Sequence, residues 1–343
     1  MGRRAKLRAL LPLLLCFAAA AHSAPRSLGV PADKGWQHAQ TGLILSSRIA
    51  GLARTELQDS GTDELDVSAQ YEAEDRSTIA TVYLYRPQVA DAALWFDRAR
   101  STIERNDAYE IQAGAAAPPR TFALPGSGVR SGMSVAYPFS LGDLRSTALA
   151  LAPLGEWIVK VRMSSRALSP AELAAKVESF VGAIRWPDDR SEAKPAAFIA
   201  DCATRLTYRK AKLVEPSMGQ AVLGSLLTIA ADSKEPDVPV TYCREADEGT
   251  RYSVYRPVGS DDRYLLAVGD AGRAVRIVPS ISLDGSKPDY SATFLDLGTT
   301  FIYPSFDRLP SPKQVMEALP DMEPISSVKV GTSDVSVNVD ADG

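Results

Sequence analysis

Runs that alternate apolar and polar residues, broken by stretches of helical period, fill most of the chain. "TGLILSSRIAGLARTEL" and "ELDVSAQYEAED" predict early strands, the second through Leu65, Val67, Ala69 and Tyr71 on one face. "TIATVYLYRP" predicts a buried strand, and "VADAALWFDRARSTIERN" then places Val89, Ala93, Phe96, Ala99 and Ile103 on one helical face. "TFALPGSGVRSGMSVAYPFS" predicts a strand pair turning at Gly126-Ser127-Gly128, and "STALALAPLGEWIVKVRMSS" a hairpin with a Pro-Leu-Gly turn. In "LSPAELAAKVESFVGAIRWP", Ser169 is an N-cap, Pro170 fits the first turn and Glu172 completes a capping box. Leu173, Val177, Phe180 and Ile184 form the stripe of this helix that must cover a sheet, and Pro187 stops it.

A charged, Pro-containing segment, "DDRSEAKPAA", marks a linker at 188–197 between an N-terminal block (24–187) and a C-terminal block (198–343). The second block opens with a strand around Cys202. In "PSMGQAVLGSLLTIAAD", Ser217 and Gln220 suggest another capping box, with Met218, Val222, Leu226 and Ile229 as the buried stripe. "VPVTYCRE", "RYSVYRP", "RYLLAVGD" and "RAVRIVPS" predict four strands, the last two a hairpin across Gly269-Asp270-Ala271-Gly272. "YSATFLDLGTTFIYPSF" predicts a hairpin turning near Gly298, and Ser311, Pro312 and Gln314 repeat the cap-Pro-box arrangement. The alternating Val328, Val330, Val335, Val337 and Val339 leave two readings open, a closing hairpin or a frayed tail. Hairpins interrupted by single helices, without regular βαβ alternation, place the chain in the α+β class: two blocks of mostly antiparallel sheet covered by helices.

The N-terminus changes where this chain is expected to work. Arg3, Arg4, Lys6 and Arg8 precede an apolar run from Ala9 to Ala21, and Ala21 and Ser23 supply the small residues of a cleavage site. That is the pattern of a secretory signal peptide over 1–23, with cleavage after Ser23 or Ala24. The run is shorter than the roughly 20 residues a membrane span requires, and Leu15 before Cys16 does not fit a lipobox. An exported chain is expected, periplasmic or extracellular, with no membrane span after processing. Loss of four cations takes the 38 Lys and Arg residues to 34 against 42 Asp and Glu, a net charge of −8. That acidic balance points away from nucleic acid.

Processing would also leave two cysteines, Cys202 and Cys243. In an oxidising compartment these are expected to form one structural disulfide, since the Cys-x-x-Cys spacing of a catalytic dithiol is absent.

Little of the remaining pattern points to catalysis. His38 is the one histidine left after processing, too few for a His-based metal site, and its context "GWQHAQTG" reads as a surface or edge position. No Gly-x-Ser-x-Gly occurs. Ser-x-x-Lys at Ser191–Lys194 and Ser326–Lys329 falls in the linker and in a strand, not at the start of a buried helix. Gly126-Ser127-Gly128 has no following Lys-Ser/Thr and reads as a turn, and Asp188-Asp189 and Asp261-Asp262 read as solvated. Cofactors are expected to be none. A carboxylate pair of the glycosidase kind is matched in space rather than in sequence, so a carboxylate-dependent hydrolase stays open as the alternative function.

Tyr-Arg-Pro occurs twice, at 85–87 and 255–257. Each copy reads as a strand end; the functional alternative is a ligand rim formed by Arg86, Tyr85, Arg256 and Tyr255. As a sign of duplication the tripeptide is weak, because Val-Lys-Val and Ala-Leu-Pro also recur. The Ser-Pro openings in "RALSPAEL" and "RLPSPKQV" are closer matches. Their distances from the preceding Tyr-Arg-Pro differ, however, at 83 and 55 residues, and a repeat demands a fixed period.

The segments "TIATVYLYRPQVADAALWFDRA" and "WIVKVRMSSRALSPAELAAKVESFVGAIRWP" resemble a PsbP/Mog1-type α/β/α sandwich, a pattern found in exported bacterial proteins. The resemblance covers about half the chain and brings no catalytic residues. It implies a helix-covered antiparallel sheet used as a binding or assembly module. The expected function is therefore a non-catalytic module of the cell envelope, with an envelope protein or a small ligand as partner. Assembly into an envelope complex would require a large exposed apolar patch.

Overall fold

A computed structural model describes residues 25–109, 111, 117–215, 217–232, 240–247, 250–281 and 288–338; the expected signal peptide at 1–23 and Val339 lie outside the described residues. The chain is sheet-rich, antiparallel and of the α+β class. Its first strands are β1 (Arg26–Ser27), β2 (Trp36–Gln37), β3 (Ile44–Leu45), β4 (Arg48–Ile49), β5 (Leu52–Asp59), β6 (Asp66–Glu72) and β7 (Thr78–Tyr85), followed by α1 (Ala92–Glu104). Next come β8 (Arg120–Phe122), β9 (Gly132–Leu141), β10 (Leu144–Leu154), β11 (Trp157–Ser165) and α2 (Pro170–Ala183). The first sheet runs β1-β5-β6-β7-β11-β10-β9-β8, with β4 on β5. After β7 the chain crosses by α1 to the far edge and returns strand by strand, so β11 pairs antiparallel with β7.

Alternation along β10 sorts this sheet's two faces. Leu149 and Leu151 join the core that holds α1, while Ala148, Ala150 and Ala152 join the core that holds α2. The helices therefore lie on opposite faces. α2 begins as expected: Ser169 accepts from the Glu172 amide, Glu172 accepts from the Ser169 amide at 2.8 Å, and Leu173, Val177, Phe180 and Ile184 are buried. The β10–β11 turn is at Gly155-Glu156, one position beyond the expected Pro-Leu-Gly turn, because Leu154 still pairs with Trp157. Gly155 takes a positive φ of 59° there, which favours glycine.

The second sheet follows α3 (Met218–Asp232) and is a meander of β12 (Tyr242–Asp247), β13 (Tyr252–Pro257), β14 (Tyr264–Val268), β15 (Arg273–Pro279), β16 (Tyr290–Asp296) and β17 (Thr299–Phe306). After α4 (Pro312–Ala318) it closes with β18 (Ser326–Lys329) and β19 (Val335–Val337). Val328 pairs with Val335 and Ser326 with Val337, so β18 and β19 form a hairpin. The strand expected around Cys202 is a single bridge, Asp201 to Arg244. The two sheets differ in topology, a crossover in one and a plain meander in the other, so the paired Tyr-Arg-Pro and Ser-Pro signals do not mark equivalent positions. In α4, Ser311 caps the Gln314 amide as expected, but the Gln314 side chain exchanges bonds with the backbone of Ala211 rather than closing a box.

The sheets share a core. Leu94, Trp95, Phe96, Ala99 and Ile103 of α1 pack with Leu149, Leu151 and Ile158 of the first sheet and with Tyr255, Leu265, Ala267, Ala274 and Leu295 of the second. A single stripe was expected on α1. The helix instead buries Asp97 and Arg98 as well, because sheets flank it on two sides. Arg98 donates to the Gly269 carbonyl (2.6 Å), the Ser253 hydroxyl (3.0 Å) and the Thr250 carbonyl (2.6 Å). Asp97 accepts from Arg244 (2.9 Å) and from the Tyr255 hydroxyl (2.9 Å). The β14–β15 turn docks against the first Tyr-Arg-Pro: a Cβ on Gly272 would sit 2.9 Å from the Tyr85 ring and 3.2 Å from Pro87, and its φ is +89°. Glycine suits that close approach. The 188–197 segment contains no helix or strand.

Candidate functional site

The four residues of the expected rim do not form one surface. Tyr85 ends β7 and is fully buried on the α1 side, edge-on to Trp95 at 6.3 Å. Tyr255 occupies the same core, its hydroxyl on Asp97. Strand alternation sends each following arginine to the other face. Arg86 reaches the turn residue Glu156 (2.6 Å) near the surface, whereas Arg256 is 5% exposed and makes a buried ion pair with Glu245 at 2.8 Å. That ion pair is a charge contact whose N–H is not aligned for a hydrogen bond. Arg256 also donates to the carbonyls of Ser260 and Thr204. The two tyrosines thus share a core, and the arginines are separated and partnered.

His38 is buried, not at an edge. Its ring bonds the Thr41 hydroxyl (2.9 Å) and the Glu64 carbonyl (3.3 Å) and meets Trp157 edge-on. Burial lowers its pKa below 6.5, against an opposing pull from the Glu64 carbonyl. The short β2–β3 ribbon folds the loop back and encloses the ring, which composition alone does not indicate.

Buried carboxylates in the described residues are occupied by neighbours. Asp59 accepts from the amides of Gly61 and Glu64, Asp66 pairs with Arg273 (3.0 Å), Asp97 with Arg244, Glu245 with Arg256 and Asp270 with Lys160. Burial raises the Asp66 carboxyl, opposed by Arg273. Cys202 and Cys243 are disulfide-bonded, with Cα atoms 4.9 Å apart, and tie the end of the 188–202 connection to β12.

Helix α3 departs from the expected amphipathicity. Of the four residues read as its buried stripe, Met218, Val222 and Leu226 are 38%, 43% and 58% exposed, and Ile229 alone is partly buried, against Ala221, Ile302, Ile325 and Val328. Apart from Ile229, the face against β17 and β18 is made of small residues. Ala221 is fully buried, Ser225 bonds the Ser326 hydroxyl at 3.0 Å, and a Cβ on Gly224 would sit 3.2 Å from Ile302. Small residues bring the helix backbone close to the sheet, which leaves the large side chains outward. Leu227 is exposed too, and so are Val335 and Val337 on the adjoining edge strand β19. From Met218 to Ala231 the sequence has no charged residue. An uncharged helix face carrying several exposed apolar side chains is a candidate docking surface. The clue in the sequence was Ala221, Gly224 and Ser225 at helical spacing, a small-residue face that competes with the large-residue stripe.

Among the described residues no helix is long and apolar enough to cross a membrane, and no group of His, Cys, Asp and Glu could hold a metal ion. Comparison with protein-family models, curated proteins and solved structures finds no match.

Proposed function

We propose that this protein is an exported, non-catalytic binding or assembly module of the bacterial cell envelope, which docks another envelope protein against the outward face of α3. The observation that carries this reading is the inverted helix: Met218, Val222, Leu226 and Leu227 face solvent while Ala221 and Ser225 face the sheet. An interface core is poor in charge and rich in apolar side chains, as this face is. The signal-peptide pattern at 1–23 supports export, and the Cys202–Cys243 bond suits an oxidising compartment. The resemblance to PsbP/Mog1-type proteins supports an assembly role, and the first sheet lying between α2 and α1 suits such a sandwich. The partnered state of the buried carboxylates supports binding over carboxylate-dependent hydrolysis.

The test is a photo-crosslinker at Leu226, with a second at exposed Ser179 on α2 as control, in the mature protein expressed in its own envelope. A discrete crosslinked species from position 226, absent from 179 and lost in Val222→Glu, is expected. Crosslinking that is equal from both positions, or turnover in a hydrolase panel with no crosslink, would overturn the proposal. Val222→Glu should leave the unfolding midpoint within about 0.5 kcal/mol of wild type, because the site is exposed. Ser225→Leu, on the inward face, should destabilise by about 1–3 kcal/mol through overpacking.

A further inference from the structure

The linker and the β8–β9 loop enclose a second feature that neither the fold nor the α3 surface uses. A cleft of about 540 Å³ opens between Gly126-Ser127-Gly128 and the segment 186–193, within the range of small-molecule sites. Pro153, Ile184 and Trp186 supply apolar wall, and Ser131, Arg190 and Glu192 supply polar groups. Its walls are held by the chain itself. Arg190 donates to the carbonyls of Pro187 (3.0 Å) and Pro125, and the Ala196 amide donates to Arg130 at 2.9 Å. Ser131 is among the residues lining this cleft and is 2% exposed, and its hydroxyl has no hydrogen-bond partner among the described residues. A buried hydroxyl without a partner is unfavourable, and a ligand in the cleft would supply one were the side chain to turn toward it.

We infer that this cleft is a binding site for a neutral polyhydroxylated ligand, a mono- or disaccharide. Charge decides against an anion. The guanidinium of Arg190 already serves two carbonyls, and Asp188 and Glu192 put two carboxylates at the same opening. The glycine-serine loop therefore is not a phosphate cradle. A sugar ring has an apolar C–H face for the Pro153, Ile184 and Trp186 wall, and hydroxyls that both donate to carboxylates and accept from serine. A simple cation would use the carboxylates and leave the wall and Ser131 unused. This site is independent of the α3 surface.

The experiment is calorimetry and saturation-transfer NMR on the mature protein, with maltose and the disaccharide of N-acetylglucosamine as probes. Inorganic phosphate and putrescine serve as the anionic and cationic comparisons. Saturable binding of one disaccharide is expected, weakened about tenfold in Ser131→Ala. The same probe should fail in Gly128→Trp, whose new Cβ meets nothing within 4 Å and whose side chain is expected to fill the opening. An unfolding midpoint no lower than that of wild type in both variants separates loss of the site from loss of the fold. The inference is overturned if neither disaccharide saturates up to about 20 mM, if phosphate or putrescine binds more tightly, or if Gly128→Trp binds like wild type.

Discussion

Lys160, in the middle of β11, places its ammonium 3.0 Å from a carboxylate oxygen of Asp270, which lies in the β14–β15 turn of the other sheet. The Lys160 side chain is 1% exposed, its nitrogen also donates to the Asp270 carbonyl at 2.6 Å, and it sits 4.5 Å over the centre of the Tyr83 ring. Burial lowers the lysine's pKa, and Asp270 offsets part of that. Burial would raise the Asp270 carboxyl, but Lys160, together with Arg162 and Arg98, outweighs it and holds the carboxyl below its ordinary value. A buried cation of one sheet is therefore neutralised by the other.

Asp270→Asn should leave that ammonium without its counter-charge. Breaking a buried pair costs about 3–5 kcal/mol, and the low end is expected because the Asp270 side chain is 27% exposed. The double variant Lys160→Met/Asp270→Asn should recover much of the loss. Urea unfolding of the four proteins measures it; simple additivity of the two single variants would mean that the residues are not coupled.

His38 gives a pH dependence with a defined sign. Its folded pKa lies below the ordinary 6.5, so the unfolded chain binds the proton first as pH falls. Stability should be full above about pH 7 and decline as pH drops from 6.5 toward the folded value, by at most about 1.4 kcal/mol per pH unit. In His38→Gln the slope between about pH 7 and pH 5.5 should flatten. An identical slope in wild type and variant would remove His38 as its source.

The disulfide joins residues 41 apart, so reduction should cost about 3–4 kcal/mol on the chain-entropy model. Unreduced protein, denatured and treated with an alkylating reagent, should gain no label at Cys202 or Cys243. Full labelling at both would refute the bond.

Ser169→Ala removes a side chain that caps α2 reciprocally with Glu172, and about 1 kcal/mol of stability should go with it. Glu172→Ala should lower stability through the same cap. Gln314→Ala should act differently, loosening the 206–211 segment held through Ala211, with hydrogen exchange at the Ala211 amide as the readout. An unchanged exchange rate at Ala211 would sink that assignment.

Local signals were legible where one short stretch determines the outcome. The capping box of α2 needs only Ser169, Pro170 and Glu172, and the β14–β15 and β16–β17 turns follow from Gly269 to Gly272 and from Gly298. Signals that depend on a neighbour were not. His38 looked peripheral until the β2–β3 ribbon enclosed it, and Arg256 looked like a rim until Glu245 and Thr204 closed over it. The cleft at 124–131 and 186–193 joins a loop and a linker far apart in sequence, and neither alone reads as a site.

The sequence by itself determined the antiparallel strand pattern, the cap and apolar stripe of α2, the pairing of Cys202 with Cys243 and an acidic chain with two histidines. Those depend on local spacing, composition and backbone preference. Tertiary structure decided which faces are buried. α1 is enclosed on two sides and accommodates Asp97 and Arg98 because two sheets meet on it, and α3 turns Met218, Val222, Leu226 and Leu227 outward because Ala221, Gly224 and Ser225 let its backbone approach β17 and β18. Burial depends on what packs opposite, and periodicity along one helix does not specify that partner.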